Sequence, residues 1–132
     1  HDCGAGVVYD NIRDWDLWQK PALREYVKTF SQNFADPIFR DDRQIIRRVE
    51  GDTKHLVTEQ GVLKFYYDRI ELHWPGTDLT WAMGDVHKLD YVSQQSLLLI
   101  TEDSYFDIGS AYPRSPTKYI EAWRFLTNRP SY

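Results

Sequence analysis

The chain has 132 residues, of which 42% are hydrophobic and 15% aromatic, and its formal net charge at pH 7 is −4. This length predicts one domain with a sizeable core, and the acidic balance argues against nucleic acid as a partner, because a phosphate backbone demands a basic face. The single cysteine rules out an internal disulfide. No run approaches the roughly 18 apolar residues of a membrane span, and no secretory leader is recognisable, so we expect a cytoplasmic protein. The chain opens without Met, and we expect it to be part of a longer protein.

The first twelve residues, HDCGAGVVYDNI, are typical of a turn followed by a short strand. Within them, Cys3 in DCG resembles one knuckle of a zinc ribbon, in which two such turns hold one ion. Structural zinc needs four ligands, so His1 and Cys3 alone cannot complete a site. We therefore interpret residues 1–12 as the remnant of a knuckle, in which Cys3 binds metal only with ligands that this chain lacks.

Residues 13–40 predict an amphipathic helical segment and a connector. Apolar side chains recur at helical spacing, with one longer step across Pro21. They are Trp15, Trp18, Leu23, Tyr26, Val27, Phe30 and Phe34. Pro37 disfavours helical geometry at Asp36, so the helix should end before that point.

Residues 41–132 show the pattern of short strands separated by turns. The β-rich runs are QIIRRVEG, KHLVTEQ, GVLKFYY, RIELHWP, LTWAMGDVHKLDYV, SLLLIT and SYFDIG. The charged RDDR before them is expected to be a connector. The expected turns are Glu50–Asp52, Gln60-Gly61, Pro75-Gly76 and Glu102-Asp103.

A last helix is predicted after the strands. Ser115 is its expected N-cap and Pro116 its first residue, while Asn128 and Pro130 end it. Seven antiparallel strands closed by a helix are the architecture of pleckstrin-homology (PH) and GRAM domains. The predicted fold is thus mainly β with helices (α+β): a PH/GRAM-like barrel of about seven antiparallel strands, capped by a C-terminal helix and preceded by an N-terminal helical segment.

Few side chains are spaced for catalysis or metal binding. His55, His73 and His87 lack a second ligand at helical or HxH spacing, and Cys3 lacks an orienting partner. The adjacent carboxylates lie in polar segments, where solvation is expected rather than a raised pKa. The sequence contains no nucleophile elbow and no glycine-rich phosphate loop. We expect no catalytic residue and no cofactor in this chain.

The candidates for lipid contact are Lys20, Arg24 and Lys28, which lie on one face of the first predicted helix. Each cation near an anionic membrane surface contributes about 1 kcal/mol to binding. The alternative is a solvated helix face, with pairing to Glu25 and its neighbours. The loop after the first strand, EGDTKH, is too acidic for a phosphoinositide site.

Four segments carry a family resemblance: CG followed by VVYD, DWDLWQ (Asp14–Gln19), FYYDRIEL (Phe65–Leu72) and PRSPTKY (Pro113–Tyr119). They resemble the C-terminal extension of bacterial lysophospholipid acyltransferases of the 1-acyl-glycerol-3-phosphate type. The resemblance implies that a membrane-bound catalytic domain precedes a zinc-ribbon-like knuckle, a WDxWQ helical segment and a PH/GRAM-like barrel. It also implies zinc in the intact parent and a location at the inner face of the membrane.

The catalytic signature of that family is a His followed five positions later by an Asp. Only His73 and Asp78, in HWPGTD, have this spacing here. They span a predicted hairpin with Pro-Gly at its turn, and no EGT-type phosphate motif follows. We interpret the match as chance, so the resemblance transfers no catalytic residue.

Three hypotheses about function follow. The first is a noncatalytic PH-like accessory domain of a membrane-associated acyltransferase of phospholipid synthesis, with a positioning, weak lipid-binding or structural role. The second is a PH-like module that binds a peptide along an exposed strand edge beside the terminal helix. The third is an enzyme that uses His73 and Asp78. In the first two, these side chains form the barrel wall: Phe65, Tyr67, Ile70, Leu72 and Trp74.

Overall fold

The structure is a computed structural model that describes residues 20–93, 96–110 and 116–128. Helix α1 (Lys20–Lys28) precedes the strands and helix α2 (Thr117–Leu126) follows them. The strands are β1 (Phe39–Glu50), β2 (Thr53–Phe65), β3 (Arg69–Trp74), β4 (Thr77–Ala82), β5 (Val86–Ser93), β6 (Ser96–Thr101) and β7 (Tyr105–Ser110). A 3-10 turn, Met83–Asp85, joins β4 to β5. None of the helices in these ranges is long and apolar enough to cross a membrane.

The strands form one antiparallel sheet in the order β4-β3-β2-β1-β7-β6-β5. The sheet curls into a half-barrel, with α2 at the C-terminal end of the chain and the short α1 before the strands. The predicted barrel of seven antiparallel strands with a C-terminal helix is therefore confirmed. Since β4 and β5 end the sheet, each presents one edge with no strand partner among the described residues.

The core lies on the concave face of the half-barrel. Of the side chains predicted to line the wall, Phe65, Ile70 and Leu72 are fully buried, and Tyr67 and Trp74 are half-buried against them. Both helices contribute to the same core through these residues: Leu23, Val27, Tyr119, Ile120, Ala122 and Trp123. The prediction that these five side chains form the barrel wall is confirmed.

The turn predicted at Gln60-Gly61 is wrong, because both residues lie inside β2. Gly61 pairs with Gln44 of β1 where the register shifts. A Cβ on Gly61 would clash with the Ile46 side chain and lie 3.0 Å from the carbonyl oxygen of Gln44. The glycine therefore permits a close approach of two long strands, which is its common role at a bulge.

Two other boundaries differ from the prediction. The RDDR segment belongs to β1, where a register shift follows Asp41 and Arg43 adopts a positive φ of 56°. The run LTWAMGDVHKLDYV is two strands, β4 and β5, because the 3-10 turn interrupts it. The predicted strands KHLVTEQ and GVLKFYY are thus one strand, β2, while one predicted strand is divided into β4 and β5. The number of strands therefore stays at seven. The turns at Gly51 and Gly76 are confirmed, with φ values of 59° and 86° that suit glycine.

Helix α1 ends earlier than its apolar pattern predicted. Leu23 and Val27 are buried, but the helix ends at Lys28, well before Pro37. Phe34 consequently lies beyond the helix, 48% exposed, with its ring stacked on that of Tyr67 at a centroid distance of 5.8 Å. Trp15 and Trp18 lie outside the described residues.

Helix α2 begins at Thr117, and the predicted cap Ser115 lies outside the described residues. Its predicted end is confirmed at Asn128, whose φ of 58° is left-handed. Buried charges hold the helix against the sheet. Lys118 Nζ lies 3.1 Å from Asp41 Oδ2 on β1, and the Tyr119 hydroxyl donates to the same oxygen at 2.5 Å. All three side chains are buried, so this contact fixes the start of α2 on β1.

Candidate functional site

The β5 edge beside α2 is the part of the described fold best arranged to bind another chain. β5 pairs with β6 on one side and has no strand partner among the described residues on the other. An unpaired edge presents backbone N–H and C=O groups that can add an extended peptide as a further strand. The site is therefore defined first by backbone geometry.

The accessible part of this edge is short. The register with β6 shifts between Val86 and Lys88 and again between Tyr91 and Ser93. Regular strand geometry is thus confined to residues 88–91. Beside it, Tyr91 and Val92 are 38% and 40% exposed. They supply apolar surface at the downstream end of the edge.

Helix α2 forms the second side of the site. The Tyr91 hydroxyl lies 2.6 Å from Thr117 Oγ1, in the first turn of α2. Further along the helix, Arg124 Nη2 lies 3.6 Å from Asp90 Oδ1. The other terminal nitrogen of the same guanidinium, Nη1, lies 3.6 Å from Glu121 Oε2, so Arg124 is shared between two carboxylates. We call the surface made by residues 88–92 and the adjoining side of α2 the β5–α2 edge.

The three cations proposed for lipid contact lie in α1. Lys28 is exposed and forms an ion pair with Glu25, with a distance of 2.9 Å between Nζ and Oε2. Arg24 is half-buried, and the side chain of Lys20 lies outside the described set. An exposed pair such as Lys28–Glu25 contributes little to stability, and it lowers the positive charge that α1 presents to an anionic surface.

The predicted metal ligand Cys3, with His1, lies outside the described residues. In the ranges that the structure does describe, no group of three or more His, Cys, Asp or Glu side chains is placed to hold a metal ion. The knuckle of residues 1–12 stays a prediction.

His73 and Asp78 do meet, at 2.7 Å between Nδ1 and Oδ1. They are directly opposite each other in the β3–β4 hairpin, so their contact follows from the two-residue turn between the strands. The other ring nitrogen, Nε2, lies 2.8 Å from Glu71 Oε1. A general base needs a ring nitrogen free to accept a proton, and here both face carboxylates. The Asp78 side chain is 82% exposed, which places the pair at the surface.

Glu71 is the centre of this ionic group. Arg69 donates from Nε to Glu71 Oε2 at 2.6 Å, and its Nη1 donates to the Phe34 carbonyl oxygen at 3.0 Å. Burial alone would raise the pKa of Glu71, but hydrogen bonds from Arg69 and His73, with their charges, outweigh it and lower the pKa below its usual value. Through Arg69, this ionic group connects the β3–β4 hairpin to Phe34 in the segment that follows α1.

The sequence predicted an exposed strand edge beside the terminal helix as a possible peptide site, but it did not identify the strand or the residues that form it. Tyr91 and Thr117 are 26 positions apart, and no local pattern connects them. Gly84-Asp85 is the one signal that could have separated β4 from β5, since such a pair favours a turn. A separate β5 would have drawn attention to the exposed run Tyr91-Val92.

No protein-family model matches the chain, and no curated protein matches it. Among solved structures, the chain is similar to the Vps36 N-terminal PH domain, with a TM-score of 0.50 and 18% identity. The match covers 70% of this chain and 80% of that one. At this identity the likeness shows the fold alone, and these comparisons do not support the acyltransferase origin. The chain has a PH-like fold.

Proposed function

We propose that this chain is a noncatalytic PH-like module that binds an extended peptide segment by strand addition at the β5–α2 edge. The observation that carries the proposal is the strand edge at residues 88–91, which lacks a strand partner among the described residues and is flanked by α2. In such complexes the main chain supplies affinity and flanking side chains supply selectivity.

The chemistry of the edge favours an apolar residue in the bound segment. Tyr91 and Val92 offer exposed apolar surface at one end, and Asp90 forms an ion pair with Arg124. An aromatic side chain such as Tyr91 loses little conformational entropy on binding, which suits a contact residue. The segment bound would therefore be extended and would place an apolar side chain against Tyr91 and Val92.

Selection from a displayed library of random peptides tests this proposal. Peptides that bind the wild-type chain should lose about tenfold in affinity against the double variant Tyr91→Ala, Val92→Ala, because a buried aromatic contact is removed. Leu56→Ala is the matched control, since Leu56 is 57% exposed on β2. Equal loss in the control, or selected peptides indifferent to both changes, would rule out this edge.

A second candidate is the role implied by the acyltransferase resemblance, in which the module positions a catalytic domain at the inner face of the membrane. The exposed Lys28 and half-buried Arg24 of α1 favour it. The rest of the parent protein would then be a partner, and an extended segment of that parent is a natural occupant of the β5–α2 edge. Zinc, if present in the parent, would require Cys3 and further ligands.

Co-sedimentation with anionic vesicles at low and moderate salt tests the membrane role. If α1 meets the surface, Arg24→Ala with Lys28→Ala should weaken binding by about 10- to 30-fold at low salt, since each cation contributes about 1 kcal/mol. Lys88→Ala, an exposed cation on β5, is the control. Absence of binding by the wild-type chain at both salt concentrations would exclude this lipid role.

A further inference from the structure

Strand β4, at the end of the sheet opposite β5, has a more regular edge than β5. β4 pairs with β3 in unbroken register along its whole length, from Thr77 opposite Trp74 to Ala82 opposite Arg69. Its six residues, TDLTWA, contain no Lys, no Pro and no bulge, and Asp78 is their only charged side chain, so most of the usual features that prevent edge-to-edge association are missing. On its other side, β4 has no strand partner within the part of the chain that the structure describes.

The side chains of β4 alternate regularly between its two faces. Leu79 and Trp81 are half-buried and pack against the core from the concave face. Asp78, Thr80 and Ala82 are exposed on the convex face. Because the period of a strand is two, a pairing partner must align its apolar face with Leu79 and Trp81.

We propose that β4 pairs with β4 of a second copy of this chain, antiparallel about a twofold axis at Thr80. In this register Leu79 of each copy lies opposite Trp81 of the other on the concave face. Asp78 lies opposite Ala82 on the convex face. A register shifted by one residue would place Asp78 opposite Trp81, so the alternation selects against it. The interface is isologous, as twofold dimers require.

The charges of the edge also permit self-association. In the proposed register no like charges are directly opposite. The two Asp78 side chains lie four residues apart along the strands, or about 13 Å, which exceeds the screening length of about 8 Å in physiological salt. Each Asp78 also keeps its contact with His73 of its own chain, at 2.7 Å.

Sedimentation equilibrium of the chain at concentrations up to about 1 mM, where weak association becomes visible, tests the proposal. The wild-type mass should rise toward that of a dimer. Thr80→Lys should abolish the rise, because it places two lysines opposite each other at the axis. Ala82→Lys should strengthen association about threefold, because each new lysine meets Asp78 of the other copy. The exposed positions of Thr80 and Ala82 make both variants compatible with the fold.

The matched control is His87→Lys, an exposed substitution on the β5 edge, which should associate as the wild type does. A wild-type chain that stays monomeric at all concentrations would overturn the proposal. Association unchanged by Thr80→Lys would overturn it too, as would weakening by Ala82→Lys. Loss of association in His87→Lys with retention in Thr80→Lys would place the contact on the other edge.

Discussion

The two end strands of the sheet, β4 and β5, differ in how far their unpaired edges are protected against pairing with another strand. β5 is interrupted by two register shifts, carries an exposed Lys88 and runs beside α2. β4 has an unbroken register, and its only charged side chain is Asp78. The bulges leave β5 a short edge with a neighbouring helix, which suits a selected peptide. The regular β4 edge suits a partner with the same alternation, such as a second copy.

The helix makes this difference possible. Lys118 and Tyr119 anchor the start of α2 to Asp41 on β1, and Arg124 connects its later part to Asp90 on β5. None of these contacts connects α2 to β4. Selectivity at the β5 edge therefore depends on buried charges elsewhere in the fold.

Lys118→Met should lower the free energy of unfolding by about 3 kcal/mol, because it removes the cation that faces the buried carboxylate of Asp41. Thermal or denaturant unfolding measures the loss. Lys88→Met, at an exposed position, should change stability by less than about 0.5 kcal/mol. Equal effects of the two changes would contradict the anchoring role of Lys118.

Gly61→Ala should cost about 2 kcal/mol, because its Cβ would overlap Ile46 at the β1–β2 contact. A Cβ on Gly84 would meet no heavy atom within 4 Å, so Gly84→Ala is the control and should be nearly neutral. Denaturant unfolding compares the two. If Gly61→Ala were as mild as the control, the close approach of β1 and β2 would not be needed to form the curved sheet.

Glu71→Gln should lower stability by about 1 kcal/mol at pH 7, through weaker hydrogen bonds with Arg69 and His73. The folded-state pKa of Glu71 lies below its usual value of 4.5. Its contribution is thus fully present above the usual value and is lost as pH falls through the folded value. Unfolding measured from pH 7 down to about pH 3 should show the wild type converging on the variant, whereas a constant gap would contradict the ionic role.

Tyr91→Phe should have the smallest effect, about 0.5 kcal/mol, because it removes one partly exposed hydrogen bond to Thr117. Hydrogen exchange should nevertheless become faster at the start of α2. Tyr105→Phe, at a similarly exposed tyrosine on β7, is the control. A faster exchange in the control alone would show that Tyr91 does not connect β5 to α2.

The sequence predicted the elements better than it predicted the site. Pro75-Gly76 and the alternation of Ile70, Leu72 and Trp74 identify the β3–β4 hairpin, because turn chemistry and side-chain period are local signals. Gly61 was misread as a turn, since its role depends on the distant Ile46. The identity of the end strands depends on the strand order of the whole sheet, which no local pattern contains.

The β3–β4 contact between His73 and Asp78 also shows how little the spacing of two residues in the sequence reveals about their role. Five positions across a two-residue turn bring the two side chains together in any regular hairpin. The spacing matched a catalytic signature, yet the contact follows from strand register, and Glu71 faces the second ring nitrogen. Spacing alone therefore cannot distinguish a catalytic pair from a cross-strand pair.

The most direct test of strand addition at β5 is backbone amide hydrogen exchange, followed by NMR with and without a peptide from the displayed library. If the peptide adds to β5, exchange should become slower at residues 88–91, and the β4 amides should be unchanged at concentrations where the chain is monomeric. Protection confined to α1, or to the turns that follow β1 and β3, with none in β5, would contradict it.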